Sequence, residues 1–239
     1  MPNKIFNFID GEVLLIDKPL GWTSFDVVNK IRSTIKQTLN IKKIKVGHAG
    51  TLDPLATGLL IICTGKFTKK IDSFQGLDKI YIGSMYVGAT TPSFDKETEV
   101  NQTFDTSGIS KNILVDTLAK FTGEIDQTPP VYSAVKVDGK RAFEYARKNK
   151  ELKLKSRQVT IHQFDLLNFE LPEIDFLVNC SKGTYIRSLV NDFGIAINNG
   201  AYMSSLRRTS IGEYSVNNAY SVDEIIDVII AQHQGNYQV

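Results

Sequence analysis

The chain has 239 residues, of which 42% are hydrophobic and 23% charged, with a formal net charge of +2. Such a chain buries a core without disulfides or metal, and its composition excludes a dominantly disordered, collagen-like or coiled-coil protein. The longest uncharged apolar stretch, residues 55–64, falls far short of the ~20 residues that a membrane span needs. The first residues lack the continuous apolar run of a secretory signal, so a cytoplasmic protein without membrane association is expected.

Taken in chain order, Val13-Leu14-Leu15-Ile16-Asp17 is a short apolar run stopped by Lys18-Pro19, which predicts a buried strand and a turn. Thr23 or Ser24 can cap a helix in which Val27, Ile31 and Ile35 share one face. Residues 59–63 predict a second buried strand, 68–74 a helix ended by Gly76, and 80–87 a third strand. The polar, turn-rich segment 91–108 is expected to be a surface loop. Ile113, Leu114, Leu118 and Phe121 predict an amphipathic helix. A strand over 131–137 follows Pro129-Pro130, and a basic helix covers 141–148. Residues 158–169 and 174–180 read as strands joined around Pro172. Residues 185–197 read as a helix with Ile186, Leu189 and Val190 inward, and 201–216 as strand-rich. Ser221 caps a last helix, followed by a frayed tail over 232–239. Helices and strands interleave without strict βαβ order, which argues an α+β protein with a mixed sheet. No repeat, linker or composition break divides residues 1–239, so one domain is expected.

The small net charge hides a sharp distribution. Residues 36–80 hold eight lysines against Asp53, Asp72 and Asp78, a local +5, and residues 136–157 hold nine basic residues against three acids, a local +6. The remainder is acidic. Two basic islands fit a polyanion-binding face, and from charge alone solvated lysine-rich helix faces fit as well. Cys63 and Cys180 are too few for a disulfide framework and lie in apolar stretches, so buried reduced thiols are expected. His48, His162 and His233 are far apart, and no His/Cys/Asp spacing suits zinc or iron, so no metal is expected.

The most informative stretch is Gly47-His48-Ala49-Gly50-Thr51-Leu52-Asp53-Pro54-Leu55-Ala56-Thr57-Gly58-Leu59-Leu60. Gly47 and Gly50 permit close backbone approach. Pro54 fixes its own φ and biases Asp53 toward an extended conformation. A stiff loop on a rigid scaffold suits a catalytic carboxylate. The same residues suit a plain Asp-Pro turn.

This stretch resembles the signature of the TruB-type tRNA pseudouridine synthases, and the resemblance extends along the chain. Asp17-Lys18-Pro19-Leu20-Gly21-Trp22-Thr23-Ser24 resembles the family's Lys-Pro motif, and Lys79-Ile80-Tyr81 its tyrosine-bearing strand. Gln127-Thr128-Pro129-Pro130-Val131-Tyr132-Ser133-Ala134-Val135-Lys136 with Gly139-Lys140 resembles its central segment. Cys180-Ser181-Lys182-Gly183-Thr184-Tyr185-Ile186-Arg187 and Leu206-Arg207-Arg208 resemble its two late motifs.

The resemblance implies the pseudouridine synthase fold, with a mixed, mostly antiparallel central sheet flanked by helices. It implies isomerisation of uridine to pseudouridine in the TΨC loop of tRNA, by flipping the base and exchanging a C–N for a C–C glycosidic bond. No cofactor is needed. Asp53 is the implied catalytic aspartate and Arg187 its ion-pair partner, with Tyr81 against the uracil. Tyr185 packs on the base, His48 contacts the flipped nucleotide, and Leu206 forms an apolar wall. Lys18 and Pro19 support the pocket, and Lys69 joins the substrate-binding set. Lys42, Lys43, Lys45, Lys66 and Lys70 flank the Asp53 loop, and Lys136, Lys140, Arg141, Arg147 and Lys148 form a second region; both are expected to hold RNA backbone. The partner is the T-arm of tRNA, met by a monomer. With some thirty residues after Leu206-Arg207-Arg208, a catalytic domain without the family's PUA domain is expected. Three other readings are a guide-dependent synthase of the dyskerin branch, a tRNA-folding chaperone with secondary catalysis, and a general binder of acidic ligands.

Overall fold

The computed structural model describes residues 5–148, 150 and 152–234. The chain divides into one unit built from its start to residue 79 and from 207 onward, and another built from 80–206.

The first unit begins with β1 (Val13–Lys18), in which Leu14, Ile16 and Lys18 are buried and the alternate residues half-buried. Thr23 then caps α1 (Ser24–Thr38). Its Oγ1 accepts from Asp26 N at 3.0 Å while its own N donates to Asp26 Oδ2 at 2.8 Å, a reciprocal capping box. The predicted stripe of Val27, Ile31 and Ile35 is wholly buried. Next come β2 (Val46–His48) and β3 (Ala56–Thr64), with β3 antiparallel to both β1 and β2. β3 reads as an unbroken apolar run because both of its faces are covered. Leu60 and Ile62 pack with α1 on one side, while Leu59, Ile61 and Cys63 pack with Ala49, Phe74 and Ile211 on the other. The helix expected over 68–74 is split into a 3-10 segment, Gly65–Lys70, and a short α2 (Ile71–Gln75) that ends at Gly76.

The second unit runs from β4 (Lys79–Val87) through the hairpin of β5 (Ala89–Thr90) and β6 (Gln102–Thr103) to α3 (Lys111–Lys120). There follow β7 (Gly123–Gln127), the hairpin β8 (Lys136–Val137) and β9 (Lys140–Arg141), α4 (Ala142–Ala146), β10 (Arg157–Glu170), β11 (Glu173–Cys180) and α5 (Ile186–Ala196). β12 (Ala201–Ile211) starts here and ends in the first unit. The strand order in this unit is β12-β4-β11-β10-β7, with β10 antiparallel to β7 and β11. Phe193 of α5 lies 6.1 Å from Phe164 and 6.4 Å from Phe121, ring centre to ring centre, which seats the helix on β10.

Two expectations fail in this unit. Segment 91–108 is not simply a surface loop, because Thr91, Ser93 and Asp95 are buried. Its polar side chains bond inward: Thr91 Oγ1 donates to Asp95 O at 2.6 Å and Ser93 Oγ to the same oxygen at 3.2 Å. Only Lys136–Val137 of the strand expected over 131–137 forms. The residues before it have carbonyls taken by side chains of α5 rather than by a neighbouring strand.

The chain then completes the first unit with β13 (Tyr214–Ser215), β14 (Tyr220–Ser221) and α6 (Val222–Gln234). The strand order there is β14-β1-β3-β12, with β14 parallel to β1. Ser221 caps α6 as predicted, its Oγ accepting from Glu224 N at 3.2 Å and its N donating to Glu224 Oε2 at 2.7 Å. Ile225 and Ile229 bury against the α1 core. Residues 232–234, expected in a frayed tail, are helical, and the Gln232 amide bonds both Phe6 N (3.1 Å) and Phe6 O (2.9 Å). Residues 235–239 of that tail lie outside the described residues.

The architecture is the mixed α+β fold the sequence suggested, with mostly antiparallel strand pairs flanked by helices. Cys63 and Cys180 are buried, and burial pushes the Cys63 thiol up to about 11. Among the described residues no helix is long and apolar enough to cross a membrane.

Ile31 of α1 has no exposed surface and belongs to the core cluster shared with β1 and α6. Ile31→Ala is expected to cost about 2–5 kcal/mol, read as a lower denaturation midpoint with an unchanged slope in urea.

Candidate active site

Asp53 lies in the connection between β2 and β3, half-buried. Hydrogen bonds from three directions fix this loop. Ser24 Oγ, at the start of α1, accepts from Leu52 N at 2.8 Å and donates to Leu52 O at 3.1 Å. Gly21 N donates to Pro54 O at 2.8 Å, which ties the Lys18-Pro19 turn to the Asp53-Pro54 turn. Arg208 on β12, 1% exposed, donates through Nη2 to Gly50 O at 3.1 Å and through Nε to Leu59 O at 2.8 Å. Gly58 lets this happen: at φ +102°, a Cβ there would fall 2.3 Å from Arg208 O.

Beside the loop, Lys18 is wholly buried, and its ammonium donates to Pro19 O at 3.0 Å and Trp22 O at 2.6 Å. Burial lowers it to about 8, with the Asp53 charge opposing that fall and the Arg208 charge adding to it. The Lys18 hydrogen bonds therefore build the turn. His48, half-buried on β2, is held below its ordinary value by desolvation and then by the Arg208 charge, which favours a neutral imidazole at pH 7. Lys69 is exposed at the end of the 3-10 segment.

The second unit holds the other expected pocket residues. Tyr81 is buried on β4, Tyr185 precedes α5, and Leu206 lies half-buried on β12. Arg187 is 3% exposed in the first turn of α5. Its Nη2 donates to Tyr132 O at 2.8 Å and its Nη1 to Ser93 O at 3.2 Å, and Nη1 stands 3.4 Å from Asp95 Oδ2. This arginine is thus no surface helix charge. Buried Asp95 gives it an acidic partner within its own unit, one that the sequence reading placed in a surface loop.

The basic residues of both islands are exposed apart from Lys79, which is buried with its ammonium donating to Gln75 O at 2.7 Å and to Leu77 O. Lys42, Lys43 and Lys45 precede β2, Lys66 pairs with Asp10 at 2.8 Å, and Lys70 lies 3.8 Å over the Phe67 ring. In the second island, Lys136 faces Arg141 and Val137 faces Lys140 across the β8–β9 hairpin. Arg147 pairs with Glu97 at 3.1 Å and also lies over Phe143, while Lys148 is exposed just after α4.

The sequence reading missed Ser24, Asp95 and the buried part played by Arg208. One signal for Arg208 was present: two adjacent arginines on a strand must point to opposite faces. Arg207 takes the outer one, its Nη1 and Nη2 donating to the two Asp17 carboxylate oxygens at 3.0 and 2.6 Å. Among the described residues no group of three His, Cys, Asp or Glu is placed to hold a metal ion.

Residues 36–186 match the model for the TruB family pseudouridylate synthase N-terminal domain, and residues 187–238 that for the tRNA pseudouridylate synthase B C-terminal domain. The chain is 56% identical over 216 residues to a Flavobacterium johnsoniae protein named tRNA pseudouridine synthase B, spanning 90% of this chain and 94% of that one. A Phocaeicola vulgatus protein of the same name is 54% identical over 217 residues, spanning 91% and 92%. Among solved structures, a chain of a Cbf5-Nop10-Gar1 complex is similar with a TM-score of 0.68 and 27% identity. That match covers 95% of this chain but 60% of the other, so this chain spans less than two thirds of its length.

The buried ammonium of Lys18 predicts a pH signature. Folding lowers it from 10.5 to about 8. Between these values the unfolded chain holds a proton that the folded chain has released, so stability rises with pH across this window. Urea denaturation at about pH 7 and about pH 10 is expected to show wild type gaining stability relative to Lys18→Met. Parallel profiles would refute the assignment.

Proposed function

Because this chain belongs to the TruB family of pseudouridylate synthases and isomerises uridine to pseudouridine in tRNA, we propose that Asp53 is its catalytic carboxylate and the TΨC-loop uridine its target. The observation that carries this reading is the bracing of the Asp53 loop by Ser24, Gly21 and Arg208. A carboxylate that must meet a sugar carbon gains its rate from being held in place before the substrate arrives.

The reaction breaks the N1–C1′ bond, turns the uracil, and forms a C5–C1′ bond; C5 loses a proton and N1 gains one. Atoms and oxidation state balance, so no cofactor enters. Asp53 either adds to C1′ or removes the C2′ proton, and both roles use its ionised form. In this reading Arg187 supports that ionised form, and Tyr81 lies against the uracil and assists loss of the C5 proton. Tyr185 packs on the base, His48 positions the flipped nucleotide, and Leu206 excludes water. Flipping exposes atoms otherwise stacked within the RNA fold, at a cost of a few kcal/mol. Lys42, Lys43, Lys45, Lys66 and Lys70 of the first island and Lys136, Lys140, Arg141, Arg147 and Lys148 of the second bind backbone phosphates of the T-arm. The enzyme acts in the cytoplasm as a monomer, without metal, through a catalytic domain formed by residues 1–239.

Asp53→Asn is expected to lower pseudouridine formation on the order of 10⁴-fold or more while leaving tRNA affinity within a few-fold. Chemical mapping of pseudouridine in unmodified tRNA, beside a filter-binding assay, checks both; product from the variant would refute the role. Replacing Lys140 and Arg141 together by alanine is expected to flatten the salt dependence of binding, by about 0.7–0.9 in log–log slope for each phosphate no longer neutralised. An unchanged slope would remove that hairpin from the RNA interface.

A further inference from the structure

Tyr185 is held by a device that the reaction described above does not use. It precedes α5 in extended conformation and makes no side-chain cap. Its backbone is instead clamped by Gln127, the last residue of β7, which has no exposed surface. Gln127 Oε1 accepts from Tyr185 N at 2.7 Å, and Nε2 donates to Tyr185 O at 3.0 Å. Both ends of a buried amide are thus used on one residue, fixing the direction in which its side chain leaves the backbone. Next along α5, Ser188 Oγ donates to Thr128 O at 2.8 Å, extending the clamp by a turn.

The ring is held separately. Arg157 opens β10 and lies directly opposite Gln127 in the β7–β10 register. Its guanidinium sits 4.8 Å from the centre of the Tyr185 ring and donates to Gly183 O. Gly183 has a φ of +83°, a backbone conformation that favours glycine, and it lies against that guanidinium, with an ideal Cβ position 3.4 Å from Arg157 Cζ. One cross-strand pair therefore holds one tyrosine twice, Gln127 by its backbone and Arg157 by its ring. Arg157 itself is exposed at the start of its strand. Such a planar cation covers one face of a phenol ring and restrains its rotation.

We propose that Arg157 is a positioning residue for the isomerisation: it covers one face of Tyr185 and sets the ring so that the other face receives the target uracil. This rests on the proposed role of Tyr185 as the side chain that packs on the base. A detached uracil must turn about a fixed wall to offer C5 in place of N1, and a freely rotating ring is a poor wall.

The test is a double-mutant cycle in single-turnover pseudouridine formation on a tRNA transcript, with tRNA affinity and salt slope measured beside it. Arg157→Gln removes the cation, Arg157→Lys keeps charge without the plane, and each is combined with Tyr185→Leu. Thermal melting verifies the fold. Arg157→Gln is expected to slow the rate about tenfold with affinity nearly unchanged. Arg157→Lys is expected to restore only part of that rate. In the Tyr185→Leu background, Arg157→Gln is expected to change the rate less than about twofold. An equal loss in both backgrounds would overturn the proposal. So would weaker binding with a flatter salt slope and an unchanged rate, which would make Arg157 a phosphate ligand. If Tyr185→Leu alone leaves the rate unchanged, the underlying reading of Tyr185 fails, and that result is visible apart from the Arg157 arm.

Discussion

The first unit is organised around a buried guanidinium. Arg208 donates to the carbonyls of Gly50 and Leu59, one on each side of the Asp53 turn. A charge buried to this degree is tolerated only when its donors are satisfied, and truncating it would leave two carbonyls short of partners. Arg208 therefore fixes where β3 can lie against β12, and with it where Asp53 can point. Gly58 follows from that constraint, since any Cβ there would strike the Arg208 backbone. Ser24 closes the other side by bonding both backbone groups of Leu52. Helix α1 thus has two functions in one element: its Val27, Ile31 and Ile35 face builds core, and its first residue holds the loop.

The second unit uses buried polar side chains on irregular backbone in the same way. Arg187 and Ser188 of α5 take carbonyls of Tyr132 and Thr128, and Gln127 takes both backbone groups of Tyr185. Segment 127–132 contains two prolines, which cannot donate to a ladder. The helix start supplies the partners that a neighbouring strand does not. The result is a rigid stretch without regular structure, which suits residues that must meet a substrate. Asp95 belongs to this logic, since a buried arginine requires an acid or several acceptors, and Arg187 has both.

Much of this was legible in the residues. The capping box at Thr23, the apolar stripe of α1, the two-faced burial of β3 and the cap at Ser221 follow from local rules acting over a few residues. The Thr, Ser and Asp composition of segment 91–108 suits a wet loop as well as a buried self-bonded turn. Only a distant arginine decides between them. Residues 131–135 carry strand-like side chains, but a strand forms only where a partner lies alongside. In β7, Gly123-Glu124-Ile125-Asp126-Gln127 has weak strand character, and its pairing with β10 supplies what its own residues lack.

The sequence by itself determined the fold class, most of the helices and strands, and the family, because these rest on periodicity, caps and motifs read along the chain. It also marked Asp53, since glycines and a proline around a carboxylate constrain the backbone wherever the chain runs. Tertiary structure alone decided which polar residues became scaffolding. Arg208, Asp95, Ser24 and Gln127 have ordinary surface compositions and acquire their function from backbone groups 28 to 158 residues away, or from the ion pair of Arg187 with Asp95. A hydrogen bond is a statement about distance in space, and pairing over such separations is set only when the strands and helices between them have packed.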